Sequence, residues 1–289
     1  MRLAILFICI IYSFHCGAQE DFLAKQYFNN GEFKKAVVFY KNLTDKNPRR
    51  TDYAEGLIAC YQQLEMYKEA ESFLLNKIAS RNPYPTIYIE LGYNYLLQDQ
   101  MDKAKEYYEI ALSKIEENPN FGYGIGFRFQ RYALLDYALR AYSKAMELNP
   151  ELDYNFQMAR IYGEQGDIER MYDSYLELIA AGKATQNNVL RNLDNFITSD
   201  PDNPNNLKLK KILLQKAQKN PDLLWNEILS WLFVQQKQYN SAFNQEKAIY
   251  KRSGAFSLQR LISLGDIALY DKAIDDAKAI ITYVDKNSN

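Results

Sequence analysis

One spacing constrains this chain more than any other property. Ala36, Ala70, Ala104 and Ala138 stand 34 residues apart, and so do Tyr27, Tyr61, Tyr95 and Phe129. Tyr40, Leu74, Tyr108 and Tyr142 keep the same step, as do Leu23, Leu57, Leu91 and Ile125. Four columns in one register mark a repeat architecture whose units cannot bury their apolar faces alone and must stack. Within a repeat the spacing is helical. Tyr88, Leu91 and Tyr95 fall on one face, and Ala104, Tyr108 and Ala111 on another. The links between them, "NNGEF", "QLEMY" and "LQDQMD", are short and polar, and Pro48, Pro83, Pro119 and Pro150 close the units. Each unit therefore reads as helix, tight turn, helix, and the predicted fold is all-α. Small residues at Ala36, Ala70, Gly92, Ala104, Gly126 and Ala138 let the helices approach. Large ones such as Tyr95 and Tyr142 fill the space beside them.

The order of these residues resembles the tetratricopeptide repeat family: a bulky residue, Leu-Gly, Tyr, a small Ala, an aromatic, a second small Ala and a Pro. Residues 85–118 carry it best, through Tyr88, Leu91, Gly92, Tyr95, Ala104, Tyr108 and Ala111. Residues 119–150 follow with Ile125, Gly126, Phe129, Ala138, Tyr142, Ala145 and Pro150, and residues 17–50 with Leu23, Ala24, Tyr27, Ala36, Tyr40 and Pro48. Residues 51–84 depart from it: Ile58 replaces the Gly and Lys77 the second Ala. A fifth unit, about 152–182, keeps Ala159, Tyr162, Tyr175 and Leu178, is one residue short, and has Met171 at the central Ala. The resemblance implies a right-handed superhelical solenoid of antiparallel helix pairs, with five repeats over 19–182.

Beyond Gly182 the pattern blurs. Two helices, about 187–198 and 206–218, are split by "SDPDNPNN". Phe233 with Ala242, and Leu264 with Ala273, keep the nine-residue separation between the Tyr and Ala columns. Residues 183–289 are expected to continue the solenoid as degenerate repeats. Ile274, Ile280, Ile281 and Val284 would need covering, so either the natural chain is longer or this end docks on another molecule.

Residues 1–18 read differently. Arg2 precedes an apolar run from Leu3 to Phe14, too short to span a bilayer. Small residues before the end of "CGA" predict a signal peptide cleaved after Ala18, hence an exported protein of the periplasm or envelope. Lipidation at Cys16 is the alternative, disfavoured by Phe14 and His15 before it. Cleavage would remove the only His and two of three Cys, leaving Cys60 and 34 basic against 36 acidic residues. Such a balance gives no electrostatic case for nucleic acid. Membrane association is expected only through a partner or through Cys16.

Other motifs carry no chemistry. "GYGIGF" lacks the strand before it that a phosphate loop needs, and Gly126 belongs to the glycine column. An EF-hand counted from Asp200 would have Asn205 and Lys211 where Gly and Glu are required. The basic helix "LKLKKILLQKAQK" has no aromatic residue and reads as a solvated face. If the leader and its His15 are removed, triads and His-based acid–base catalysis are closed off, so no enzyme, cofactor or metal site is expected. An enzyme on a helical-repeat frame remains only as a carboxylate cleft that nothing nominates.

That leaves binding. In the family resembled, the first helix of each unit lines the concave side. This places Ile89, Tyr93, Leu96 and Leu97 of the third unit toward a partner, with Tyr123, Phe127, Gln130 and Arg131 of the fourth. The fifth contributes Phe156, Arg160 and Glu164. The family's Lys/Asn/Arg clamp for a C-terminal carboxylate is absent: its positions hold Asp21, Lys25, Glu55, Ala59, Ile89 and Tyr93. The expected function is a non-catalytic envelope scaffold or adaptor for a protein or peptide. The alternative is a structural subunit docking through its C-terminal end.

Overall fold

The computed structural model describes residues 19–80, 83–253 and 257–288. The leader, with Cys16 and Ala18, lies outside the described residues. Among those described there are sixteen α-helices and no strand. No described helix is long and apolar enough to cross a membrane. The described chain divides into two compact units, the first ending at Leu152 and the second beginning at Asp153.

The first unit holds α1 (19–29), α2 (Phe33–Lys46), α3 (Thr51–Gln63), α4 (Tyr67–Ile78), α5 (Thr86–Leu96), α6 (Met101–Glu117), α7 (Phe121–Arg131) and α8 (Leu135–Leu148). Helix α5 packs on α6 and α7 on α8. The small columns explain how closely. A Cβ on Gly92 would sit 2.4 Å from the Tyr108 ring and 3.0 Å from the Ala104 carbonyl, and one on Gly126 would sit 2.5 Å from the Tyr142 ring. Ala36, Ala70, Ala104 and Ala138 are wholly enclosed, as are Tyr108 and Tyr142, and Tyr95 is 5% exposed. Tyr108, Phe129 and Tyr137 meet as a ring cluster with centroids 5.1–5.5 Å apart, each pair adding about 0.5–1.5 kcal/mol beyond its buried area.

Every link inside a helix pair of this unit is the same turn. Gly31, Glu65, Asp99 and Ala133, again 34 apart, all have φ between 55° and 74°. The next residue donates its N–H to the carbonyl of the aromatic column, as in Gln100 to Tyr95 (3.0 Å) and Leu134 to Phe129 (2.9 Å). This is a left-handed helix stop that satisfies carbonyls the helix end would otherwise leave open.

The second unit holds α9 (Asn155–Glu164), α10 (Ile168–Ala180), α11 (Gln186–Asp194), α12 (Pro204–Lys219), α13 (Leu223–Gln235), α14 (Tyr239–Ser253), α15 (Gln259–Tyr270) and α16 (Ile274–Asn287). The same turn recurs at Gly166, 33 residues after Ala133, and at Lys237 and Lys272. Met171 is fully buried in the central small position, its Sδ 2.6 Å from where a Cβ on Gly163 would lie. Helix α11 stops at Asp194, four residues before the sequence suggests. Asn206 holds the link that follows, donating to the carbonyls of Thr198 (2.8 Å) and Asp200 (2.7 Å) and accepting from the Thr198 N–H (3.2 Å). Asn203 caps α12, whose first residue is Pro204. The final pair differs from expectation by one helical turn. Counted from its left-handed residue Lys272, the buried small residue is Ala277 and its partner Ala268, whereas Ala273 precedes α16 and is half-buried. Ile280 is enclosed, while Ile274 and Ile281 are exposed.

Candidate functional site

The first helices of the first unit carry its charged centre. Glu90 on α5 is 3% exposed. The guanidinium of Arg128, on α7, bridges it to Glu55 on α3. The Tyr132 hydroxyl donates to the other Glu90 oxygen at 2.5 Å, and Arg131 reaches Glu55 at 3.2 Å. Three successive repeats are thus tied through one arginine. Burial pushes the Glu90 carboxyl up, while Arg128 and Tyr132 pull it down. Burial also works against the Arg128 charge, but Glu90 and Glu55 outweigh it and hold the guanidinium above its ordinary range. The pair is buried and fully partnered, and its geometry rather than its net energy is its contribution.

Sequence spacing alone does not bring these residues together. The signal lies in departures from the columns: Glu90 stands where its neighbours have Gly56 and Gly124, and Arg128 where they have Cys60 and Asn94. Charge where the neighbouring repeats have uncharged residues marks a place where the repeat has been adapted.

The expected partner-facing residues divide. Ile89 is wholly buried, on the helix that packs against α4, α6 and α7, and is therefore part of the core and not of a binding surface. Tyr93 is half-buried, stacked on Tyr132 with centroids 3.9 Å apart and planes at 13°. Leu97 is exposed at the end of α5. Tyr123 and Phe127, one turn apart on α7, are each 48% exposed, with near-parallel rings 6.2 Å apart. Arg131 follows on the same face, about half exposed. In the second unit, Phe156 is half-buried and meets Tyr175 edge-on at 5.2 Å, so it contributes mainly to packing. Arg160 is half exposed and pairs with Glu164 at 3.4 Å.

Cys60 is buried, and burial pushes its thiol up to about 12. At neutral pH it is a packed thiol and no nucleophile. No cluster of three metal-binding side chains occurs among the described residues.

Fold and surface together define a helical-repeat protein whose distinctive surface groups are aromatic and ionic. The tetratricopeptide repeat family model matches residues 85–113, the unit in which Gly92, Tyr95, Ala104 and Tyr108 meet. The chain is 26% identical over 125 residues, 43% of its length, to the general transcriptional corepressor trfA of Dictyostelium discoideum, covering 9% of that protein. It is 29% identical over 140 residues, 48% of its length, to the BBSome complex member BBS4 of Bos taurus, covering 25% of it. It is 26% identical over 286 residues, 88% of its length, to the TPR repeat-containing protein MJ1428 of Methanocaldococcus jannaschii, covering 50% of it. The chain thus spans no more than half the length of these curated relatives. Among solved structures, TTC0263, a thermophilic TPR protein of Thermus thermophilus, is 18% identical with a TM-score of 0.35, over 62% of this chain and 97% of that one.

Proposed function

We propose that this chain is an exported, non-catalytic scaffold or adaptor of the tetratricopeptide type, which binds a protein or peptide along the first-helix face of its first unit. The observation that carries this reading is the parallel pair Tyr123 and Phe127, both 48% exposed, with Arg131 one turn further on. Aromatic and arginine side chains of this kind are the usual anchors of interfaces. The match of residues 85–113 to the repeat family supports the class, and the apolar run after Arg2 supports export. The test compares wild type with a Tyr123→Ala/Phe127→Ala variant in affinity capture from envelope extract, after both are shown to melt alike. Loss of specific partners from the variant is expected; equal capture by both would remove this face from the function.

A second reading rests on the other unit. Tyr270 is 87% exposed, with Leu269, Ile274 and Ile281 between 43% and 56%. This apolar edge suits a structural subunit docking through its C-terminal helices. A Tyr270→Ser/Ile274→Ser variant that keeps groove partners but loses a complex would favour it.

A further inference from the structure

Three departures from the repeat columns converge on one cavity of about 280 Å³. Lys77 replaces the small residue that Ala111 and Ala145 supply as wholly buried contacts in the next two units. Glu90 and Arg128 replace the small or neutral residues already described. Where an alanine would close α4 against its neighbours, Lys77 extends along Phe73 (5.5 Å to the ring) and donates to the Pro48 carbonyl at 3.3 Å. The space left open is lined by the apolar side chains of Ile58 and Ile87 with Tyr84, and by the charged Arg49, Lys77 and Arg128. Tyr84 is held there because Gly124 lacks a Cβ, which would lie 2.6 Å from its hydroxyl.

The charges decide what such a cavity accepts. Among the described residues four cations line it, Arg49, Arg50, Lys77 and Arg128, against two carboxylates, Glu55 and Glu90. Arg50 is neutralised by Asp52, and Arg128 by Glu55 and Glu90. Lys77 and Arg49 make no ion pair among the described residues, so the wall keeps an excess of positive charge in a chain of net charge −1. The volume lies near the lower end of ligand pockets, roughly 300–1,000 Å³, so it suits one side chain or a small molecule rather than a length of peptide. A monoanion fits better than a doubly charged phosphate, because the cost of removing an ion from water rises with the square of its charge while the pull of Lys77 and Arg49 rises only in proportion to it.

We propose that this cavity between α3, α4 and α5 binds a carboxylate carried next to an apolar group, with Lys77 and Arg49 taking the charge and Ile58, Ile87 and Tyr84 the apolar body. The occupant to which the geometry points is an acidic side chain of a bound peptide, flanked by an aromatic or aliphatic one. In that form the proposal rests on the peptide-binding reading above and names the partner's chemistry. A free small acid is the other source of the same group.

The experiment titrates the full chain with two matched pairs of probes and follows binding by NMR and calorimetry. The first pair is 3-phenylpropionate and 3-phenylpropionamide. The second is an acetylated, amidated pentapeptide with one aspartate between two phenylalanines, and its asparagine counterpart. Each acid is expected to bind at least about tenfold tighter than its neutral twin, the worth of one charge-assisted hydrogen bond. That preference should vanish in Lys77→Ala, which installs the residue of the neighbouring units, survive in Lys77→Arg, and shrink in 0.5 M salt. Tighter binding of the peptide acid than of phenylpropionate assigns the cavity to a peptide partner; the reverse assigns it to a free acid. Equal binding of acid and neutral twin, no binding of either acid, or an unchanged preference in Lys77→Ala would overturn the proposal. Tyr123→Ala/Phe127→Ala should weaken only the peptides. If it weakens neither while the acid preference persists, the groove reading fails and the cavity stands.

Discussion

The two units use the same helix pairs and the same left-handed turn, yet they fill the space between helices in opposite ways. In the first, the close approach is glycine against tyrosine: Gly92 under Tyr108 and Gly126 under Tyr142, with no room for a methyl group. In the second, Gly163 lies under the flexible thioether of Met171, and the nearest side-chain atoms to a Cβ on Gly265 would be 3.4 Å away, an ordinary contact. A rigid ring over a glycine demands one residue type at one spacing, as at Gly92 and Gly126, and the second repeat, with Leu74 in place of the ring, has Ile58 in place of the glycine. Methionine, with three rotatable bonds, adapts to its surroundings and lets the columns drift. Strictness of the repeat thus measures how exacting the packing is, and not whether the helix pair forms.

The largest expected difference is electrostatic. Arg128→Ala leaves Glu90 buried with its charge unmatched and should cost about 3–5 kcal/mol in urea unfolding. In the second unit Glu246 is equally enclosed and held by Arg260 at 2.7 and 2.9 Å, but Arg260 is 47% exposed and water can replace it. Arg260→Ala should cost about 1–3 kcal/mol. Exchanging the contents of the central column comes next. Met171→Ala should lose about 2–5 kcal/mol through a cavity, and Ala138→Met about 1–3 kcal/mol through overpacking. Smaller and of opposite sign, Ala133→Gly relieves a left-handed residue that carries a Cβ and should raise stability by about 1 kcal/mol. A local probe sharpens the comparison further. Cys60, the one cysteine among the described residues, is a thiolate in only about one molecule in ten thousand at pH 8 if its thiol titrates at about 12. Labelling by a disulfide reagent should wait for the first unit to open and should not respond to Met171→Ala.

How much of this was readable in the sequence follows from the same contrast. The helix pairs of the first unit were, because four columns of side chains repeat. Of their turns only Gly31 was visible, as was Gly166 in the second unit. At Glu65, Asp99 and Ala133 the same backbone conformation is imposed by two carbonyl hydrogen bonds that any residue can make. The last pair was misplaced by one turn, at Ala273 instead of Ala277, because a shift of about one helical turn keeps the same face and periodicity cannot detect it. Ile89 looked available because it shares a face with Tyr93, but Ile89 is wholly buried on a helix packed against α4, α6 and α7, whereas Tyr93 is half-buried. The Glu55–Glu90–Arg128 bridge spans 73 residues of sequence and leaves no trace except the charge of Glu90 and Arg128 where the adjacent repeats have uncharged residues.

The central claim is that the first unit is held by glycine–tyrosine contacts too close for a methyl group and that the second is not. Gly126→Ala and Gly265→Ala, compared by chemical denaturation, test it most directly. Alanine in a helix is worth about 0.5–1 kcal/mol over glycine, so Gly265→Ala should be stabilising by that amount. At Gly126 the clash with Tyr142 should outweigh that gain and leave a net loss of about 1–2 kcal/mol. Two changes of the same sign, or a stabilised Gly126→Ala, would contradict the account.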